Sequence, residues 1–343
     1  MNCAPIIIPT LNRADHLSRL LNSLKCNKLA CHTDVYIALD YPPSELYDAG
    51  YRKVCGLLSE DYSCFRSFNV IKHSVNFGYL KNVEFLINTI LEQYDRFIYM
   101  DDDLELSANF LEYMNTCLDI YEPSKDVLAV CGYSYPVNWE VNPNATAYKE
   151  NFICPMWGTG FWRDKYKEII KHISLDALLL KDPKYMIFNR LLRSMSDSCR
   201  CEYVDLCLSP NAPDTLASKF TDISMRIYLA VQDKYVISPT LSKVRNWGFD
   251  GTGEFCPSMK HKVSGNTSST YLYHTQPIDS DDKYFHNEDL LFQIEVNKRK
   301  LNDFDLVPLS AKIKMYVKLT LCAILGITLY HSTTLLLRRL RLR

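Results

Sequence analysis

The chain has 343 residues, 47% of them hydrophobic and 23% charged. That is globular composition, with enough chain to bury a sizeable core without disulfides. The formal net charge of −1 excludes a global electrostatic attraction to nucleic acid, so an anionic ligand must be held by local features. The 13 cysteines are odd in number and scattered, with no CxxC pair. This pattern suits reduced thiols in a reducing compartment rather than a disulfide framework or a zinc site. Met1-Asn2-Cys3-Ala4-Pro5 leads straight into an apolar strand, with no basic segment and long apolar run. It does not read as a secretory signal, and the catalytic part is expected in the cytoplasm.

Over the first 130 residues, short apolar runs alternate with helical periods. Strands are expected at Ala4–Pro9, Asp34–Asp40, Asn69–Lys72, Arg96–Met100 and Val127–Val130. Between them, Leu17, Leu20, Leu21 and Leu24 share one helical face, with Asn12 as the expected N-cap. Val83, Leu86, Ile87, Ile90 and Leu91 share another, and Ser107 is expected to cap a helix bearing Phe110, Leu111, Met114 and Leu118. This rhythm predicts a mostly parallel α/β sheet with helices on both faces, whose ligands bind at the carboxyl ends of the strands. Residues 133–260 are less regular and suit a substrate-side half, taken to span 133–308, with helices expected near Asp164–Ile173 and Asp214–Val231. The character changes near Pro308, which divides the chain into residues 1–308 (1–132 and 133–308) and a tail, 309–343.

The residues after each strand are polar. They are Pro9-Thr10-Leu11-Asn12-Arg13, then Asp40, then Asn76-Phe77-Gly78-Tyr79-Leu80-Lys81-Asn82, then Asp101-Asp102-Asp103. Three adjacent carboxylates repel one another unless a cation or strong donors offset their charge. Along an extended chain, Asp101 and Asp103 would point one way and Asp102 the other. Oxygen ligands of this kind suit Mg²⁺ or Mn²⁺, which commonly take one or two carboxylates together with substrate phosphates.

In order and spacing, these segments resemble the family 2 glycosyltransferases with the A-type (GT-A) fold. Asp101-Asp102-Asp103-Leu104-Glu105-Leu106 with Asn109-Phe110-Leu111-Glu112-Tyr113 is also similar to the metal-site segment of N-acetylglucosaminyltransferase I, which has Glu in place of the first Asp. The resemblance implies a GT-A, Rossmann-like sheet and a nucleotide-sugar donor with Mn²⁺ or Mg²⁺. It implies that Thr10, Arg13 and Asp40 contact the base or ribose, and that Asn76 and Lys81 lie near the ribose and diphosphate. Asp101 and Asp102 would sit on the nucleotide-sugar side, and Asp103 would be the direct metal ligand.

An inverting transfer needs a base for the attacking hydroxyl. In the resembling families it follows a small-residue turn containing an aromatic. Met156-Trp157-Gly158-Thr159-Gly160-Phe161-Trp162 looks like that turn, and Asp222 is then the expected base, with Asp214 a rival better suited to capping. Arg245, before the glycine-rich Gly248–Gly253, is a candidate phosphate ligand. A His that often follows such a loop as a metal ligand is replaced by Glu254-Phe255-Cys256, with His261 the nearest.

From Leu319 to Leu337 there is no Asp, Glu, Lys or Arg, while Lys312, Lys314 and Lys318 precede and Arg338, Arg339, Arg341 and Arg343 follow. This predicts a monotopic amphipathic helix on the cytoplasmic membrane face, with a single span as the alternative. Such attachment suits a glycan or lipid-linked glycan acceptor in surface polysaccharide synthesis. Two other functions compete. A nucleotidyltransferase would want a glycine-rich loop after the first strand, which is missing. A non-catalytic nucleotide-sugar-binding module would have no need of Asp103 and Asp222 together.

Overall fold

The computed structural model describes residues 3–139, 145–151, 154–172, 222–253, 273–279 and 307–326, with isolated positions elsewhere. The strands are Ile6–Thr10 (β1), Asp34–Leu39 (β2), Ser67–Lys72 (β3), Arg96–Tyr99 (β4), Leu104–Leu106 (β5), Val127–Cys131 (β6), Ala147–Glu150 (β7), Thr159–Trp162 (β8), Tyr235–Pro239 (β9) and Val244–Asn246 (β10). The longer helices are Ala14–Lys25 (α1), Asp48–Leu57 (α2), Tyr79–Leu91 (α3), Phe110–Tyr121 (α4), Arg163–His172 (α5), Asp222–Gln232 (α6) and Leu309–Leu325 (α7).

Eight strands form one sheet in the order β3-β2-β1-β4-β8-β6-β9-β7. β3, β2, β1 and β4 are parallel, as are β6 and β9. β8 runs antiparallel between β4 and β6, and β7 runs antiparallel at the edge beside β9. The strands are apolar on both faces because both are covered. Ile6, Ile8, Val35, Ile37 and Ile98 pack with Leu17, Leu20, Leu21 and Leu24 of α1 and with α4. Ile7, Phe97 and Tyr99 point the other way, against α3, α5 and α6. Each of the four α1 leucines is buried, which stabilises the fold by about 2 kcal/mol per side chain.

Four expectations are corrected. The N-cap of α1 is Arg13, not Asn12, and no side chain caps it. The Arg13 carbonyl accepts from Leu17 N while its guanidinium is engaged elsewhere. The N-cap of α4 is Asn109, and Ser107 donates to its side chain at 2.8 Å. The supposed turn at 156–162 is a turn only to Gly158, whose φ of +70 needs glycine. From Thr159 the chain is a central strand, so Phe161 and Trp162 are buried in the core and cannot offer their faces to a sugar. Finally, the apolar run from Leu319 is not one continuous helix. α7 stops at Gly326, which takes φ +75. No helix among the described residues is long and apolar enough to cross a membrane, and residues 327–328, 331 and 333–337 of that run lie outside the described residues.

Candidate active site

The carboxyl ends of β1, β2, β3 and β4 meet on one rim. After β2, Asp40 is buried and accepts four hydrogen bonds. They come from Tyr41 N (2.8 Å), Phe77 N (2.8 Å), Gly78 N (2.9 Å) and Asn76 Nδ2 (3.2 Å). Asn76 Nδ2 also donates to the Tyr41 carbonyl at 2.6 Å. Asp40 thus shapes the loop that feeds α3, where Gly78 has φ +73. Lys81 stands exposed on the first turn of that helix.

After β4, the aspartate run divides its partners. Asp101 Oδ1 accepts from Tyr79 OH at 3.0 Å and from Tyr99 OH. The two phenols lie 2.5 Å apart. Burial, and then the like charge of Asp103, raises the Asp101 pKa to about 7, although both phenol hydrogen bonds pull it down. Burial also pushes both tyrosines well above the usual phenol range, so they remain donors.

Asp102 accepts from Thr10 Oγ1 at 2.7 Å and pairs with Arg13. The same Arg13 Nη2 lies 2.9 Å from Asp103 Oδ2. Asp102 and Asp103 therefore converge on one cation, rather than pointing to opposite sides as an extended chain would require. The chain turns at these two residues, which breaks the alternation. Burial works against the Arg13 charge, but Asp102 and Asp103 outweigh it and hold the proton more tightly than usual. Burial raises the Asp103 pKa, and Arg13 partly offsets that rise. Asp103 Oδ1 is buried without any donor.

A loop from the second half lies against this cluster. β10 pairs with β5, and Trp247 N donates to the Asp103 carbonyl at 2.9 Å. At Gly248 a Cβ would stand 2.1 Å from Asp103 Oδ2, so only glycine permits the approach. Arg19 stacks its guanidinium 4.0 Å from the Trp247 ring, and His16 Nε2 lies 3.0 Å from Asp250 Oδ2, tying the loop to α1. Arg245 donates to Glu105 Oε2 at 2.8 Å and to the Gln276 carbonyl at 2.8 Å, so it clamps β10 to β5 here.

Beyond the loop lies an aromatic floor. Phe249 stacks on Tyr273 at 4.1 Å, and Trp157 meets Tyr133 edge-on at 4.6 Å. Tyr135 packs edge-on against Tyr133, and its hydroxyl lies 3.3 Å from Arg226 Nη2. The same nitrogen lies 3.4 Å from Asp222 Oδ2, one turn back on α6, and the Asp222 side chain is 46% exposed. Asp222 is thereby linked through Arg226 and Tyr135 to the aromatic floor.

The structure brings Thr10, Arg13, Asp101, Asp102 and Asp103 into one cluster and Asp40 with Asn76 into the adjoining loop. Asp214 and Glu254-Phe255-Cys256 lie outside the described residues, as does the side chain of His261. His16 and Tyr99 were not singled out from sequence, and Tyr79, Trp247, Gly248 and Asp250 entered only as members of longer segments. Only the glycine-rich composition of 248–253 pointed to the loop, and nothing local to His16 or the tyrosines distinguished them.

A divalent metal fits this site on one observation: a buried carboxylate oxygen, Asp103 Oδ1, without a donor, in a cluster of like charges. No group of three or more metal-ligating side chains is assembled among the described residues. A metal here would take Asp103 and otherwise depend on substrate oxygens and water.

No family model matches the sequence, and no curated protein matches it. Among solved structures, the chain is similar to S. aureus TarS, with 15% identity and a TM-score of 0.35 over 49% of this chain and 29% of that one. A TarS 1–349 structure in complex with UDP-GlcNAc matches with 18% identity and a TM-score of 0.28, over 35% of this chain and 32% of that one. Mannosyltransferase PcManGT from Pyrobaculum calidifontis, in complex with GDP-Man and Mn²⁺, matches with 14% identity and a TM-score of 0.34, over 49% of this chain and 45% of that one. The match thus spans less than half of each of these proteins. Likeness at this level carries neither an activity nor a ligand to this chain.

Proposed function

We propose that this protein is a metal-dependent, inverting glycosyltransferase of the GT-A type. It moves a hexose or N-acetylhexosamine from a nucleotide diphosphate sugar to a hydroxyl of a glycan or lipid-linked glycan, in surface polysaccharide synthesis. The observation that carries the reading is Asp103 Oδ1, a buried carboxylate oxygen with no donor beside a cation-holding aspartate pair at the end of a central parallel strand. Mn²⁺ or Mg²⁺ bound through Asp103 would supply Lewis-acid stabilisation of the departing diphosphate.

The protein's own groups do the rest. Arg13 pairs with Asp102 and Asp103, and is itself a cation at the diphosphate end of the donor. The loop shaped by Asp40 and Asn76 borders the donor site, with Lys81 exposed beside it. The aromatic floor of Trp157 and Phe249 suits the apolar face of a sugar ring. Asp222 accepts the proton of the acceptor hydroxyl as its oxygen bonds to the anomeric carbon. The bond from that carbon to the diphosphate oxygen breaks, and both electrons leave with the diphosphate. Arg226, 3.4 Å from Asp222 Oδ2, links that carboxylate to the Tyr135 hydroxyl.

The test is nucleotide diphosphate release from a panel of UDP-, GDP- and dTDP-linked sugars with Mn²⁺, alongside calorimetry of donor binding. Asp103→Asn is expected to lower release on the order of 10³-fold and to abolish manganese-assisted binding. Asp222→Asn is expected to keep donor binding and lose transfer. Donor binding by the wild type that does not depend on manganese would overturn the metal role. Full transfer by Asp222→Asn would overturn the base.

A further inference from the structure

The outer face of α7 is apolar and open. Leu309, Ile313, Val317 and Ile324 lie at helical spacing on one side, flanked by Tyr316 and Leu321, and every one of them is exposed. On the opposite side the helix is anchored to the body of the protein. Met315 is buried, its sulfur lies 3.8 Å from Cys201 Sγ, and Lys312 pairs with Asp197. Among the described residues, the open face is the side opposite these anchors.

The charge around it is one-sided. From Leu309 to Arg343 the sequence has seven basic residues and no acid. The whole chain carries −1, so the preceding 308 residues carry −8. Lys314 borders the apolar stripe and is exposed. A second copy of this chain would bring the same positive charge to the contact, which opposes self-association through this face. An anionic lipid surface offers both an apolar layer for the stripe and negative charge for its flanks. At about 25 Å the helix is long enough to lie in an interface, and its three lysines suit that placement rather than a span.

We propose that α7 lies on an anionic membrane surface with Leu309, Ile313, Val317 and Ile324 turned into the lipid. The proposal stands or falls independently of the glycosyltransferase reading. The experiment is flotation of the full chain with vesicles of equal parts phosphatidylcholine and phosphatidylglycerol, and with phosphatidylcholine alone. The wild type is expected to float with the mixed vesicles and to be released by salt. Ile313→Glu with Val317→Glu is expected to weaken flotation at least about tenfold, with circular dichroism unchanged because both residues are exposed. Lys314→Gln, which leaves the apolar face intact, is expected to weaken it by a smaller factor. Flotation that survives the double glutamate variant, or equal binding to both vesicles, overturns the proposal. So does a wild-type dimer in size-exclusion chromatography that the double variant converts to monomer.

Discussion

The two halves of the sheet bury carboxyl groups by different means. At the end of β4, Asp102 and Asp103 are buried beside Arg13, and a cation is built in against them. On β7, Glu150 is equally buried, but its direct partner is the Ser238 hydroxyl, and one of its oxygens has no donor. Burial raises its pKa to about 8, with only the Ser238 hydrogen bond and the charge of Arg226 opposing. Glu150 therefore carries a proton at neutral pH. One region sets a cation against two buried carboxylates, and the other leaves its carboxyl to a hydroxyl and a proton.

The largest expected effect comes from the unpaired side. Because the Glu150 pKa is higher folded than unfolded, its contribution is fully present below the unfolded value and is lost as pH rises through about 8. Glu150→Gln has no proton to lose. Wild type is expected to lose stability relative to this variant from pH 5 to 9, on the order of 4 kcal/mol, read from denaturant midpoints along the series. A pH-independent difference would break the contrast.

Next comes Arg13→Ala, which leaves two carboxylates buried without their cation. A loss of about 3 kcal/mol is expected, shrinking as pH falls and the carboxyls take up protons. Manganese should raise the Tm of this variant more than that of wild type, since it can replace the missing charge. An equal rise in both would separate Arg13 from the metal position.

The smallest effect concerns the loop. Gly248→Ala forces a Cβ into Asp103 Oδ2, so the loop must shift. A cost of about 2 kcal/mol is expected, with weaker donor binding by calorimetry and no change in the pH dependence assigned to Glu150.

Much of the first half was legible because its signals are local. β1 to β4 and β6 fall within a residue or two of their expected ends, since a covered parallel sheet needs unbroken apolar runs. The polar residues after each strand follow from that. What could not be read depends on contacts between distant parts of the chain. Arg13 meets Asp102 across 89 residues, and no local pattern marks them as partners. Tyr79 and Tyr99 read as ordinary helix and strand residues until the fold joins them at Asp101. β8 was misread for a different reason. Gly158 and Gly160 look like loop punctuation, but Gly160 is small because Met114 and Leu118 of α4 press on it within 3.1 Å of where a Cβ would be.

The reversed strand β8 bears on how such a protein could be rebuilt. Its hydrogen bonds close the open sides of both β4 and β6. A polypeptide ending after residue 132 would leave those two apolar strands with bare backbone along the gap, an invitation to aggregate. The stretches before and after that point are therefore not interchangeable cassettes. Chimeras joined near that point are expected to fail at folding, and new ligand preferences are better sought by grafting loops onto an intact sheet.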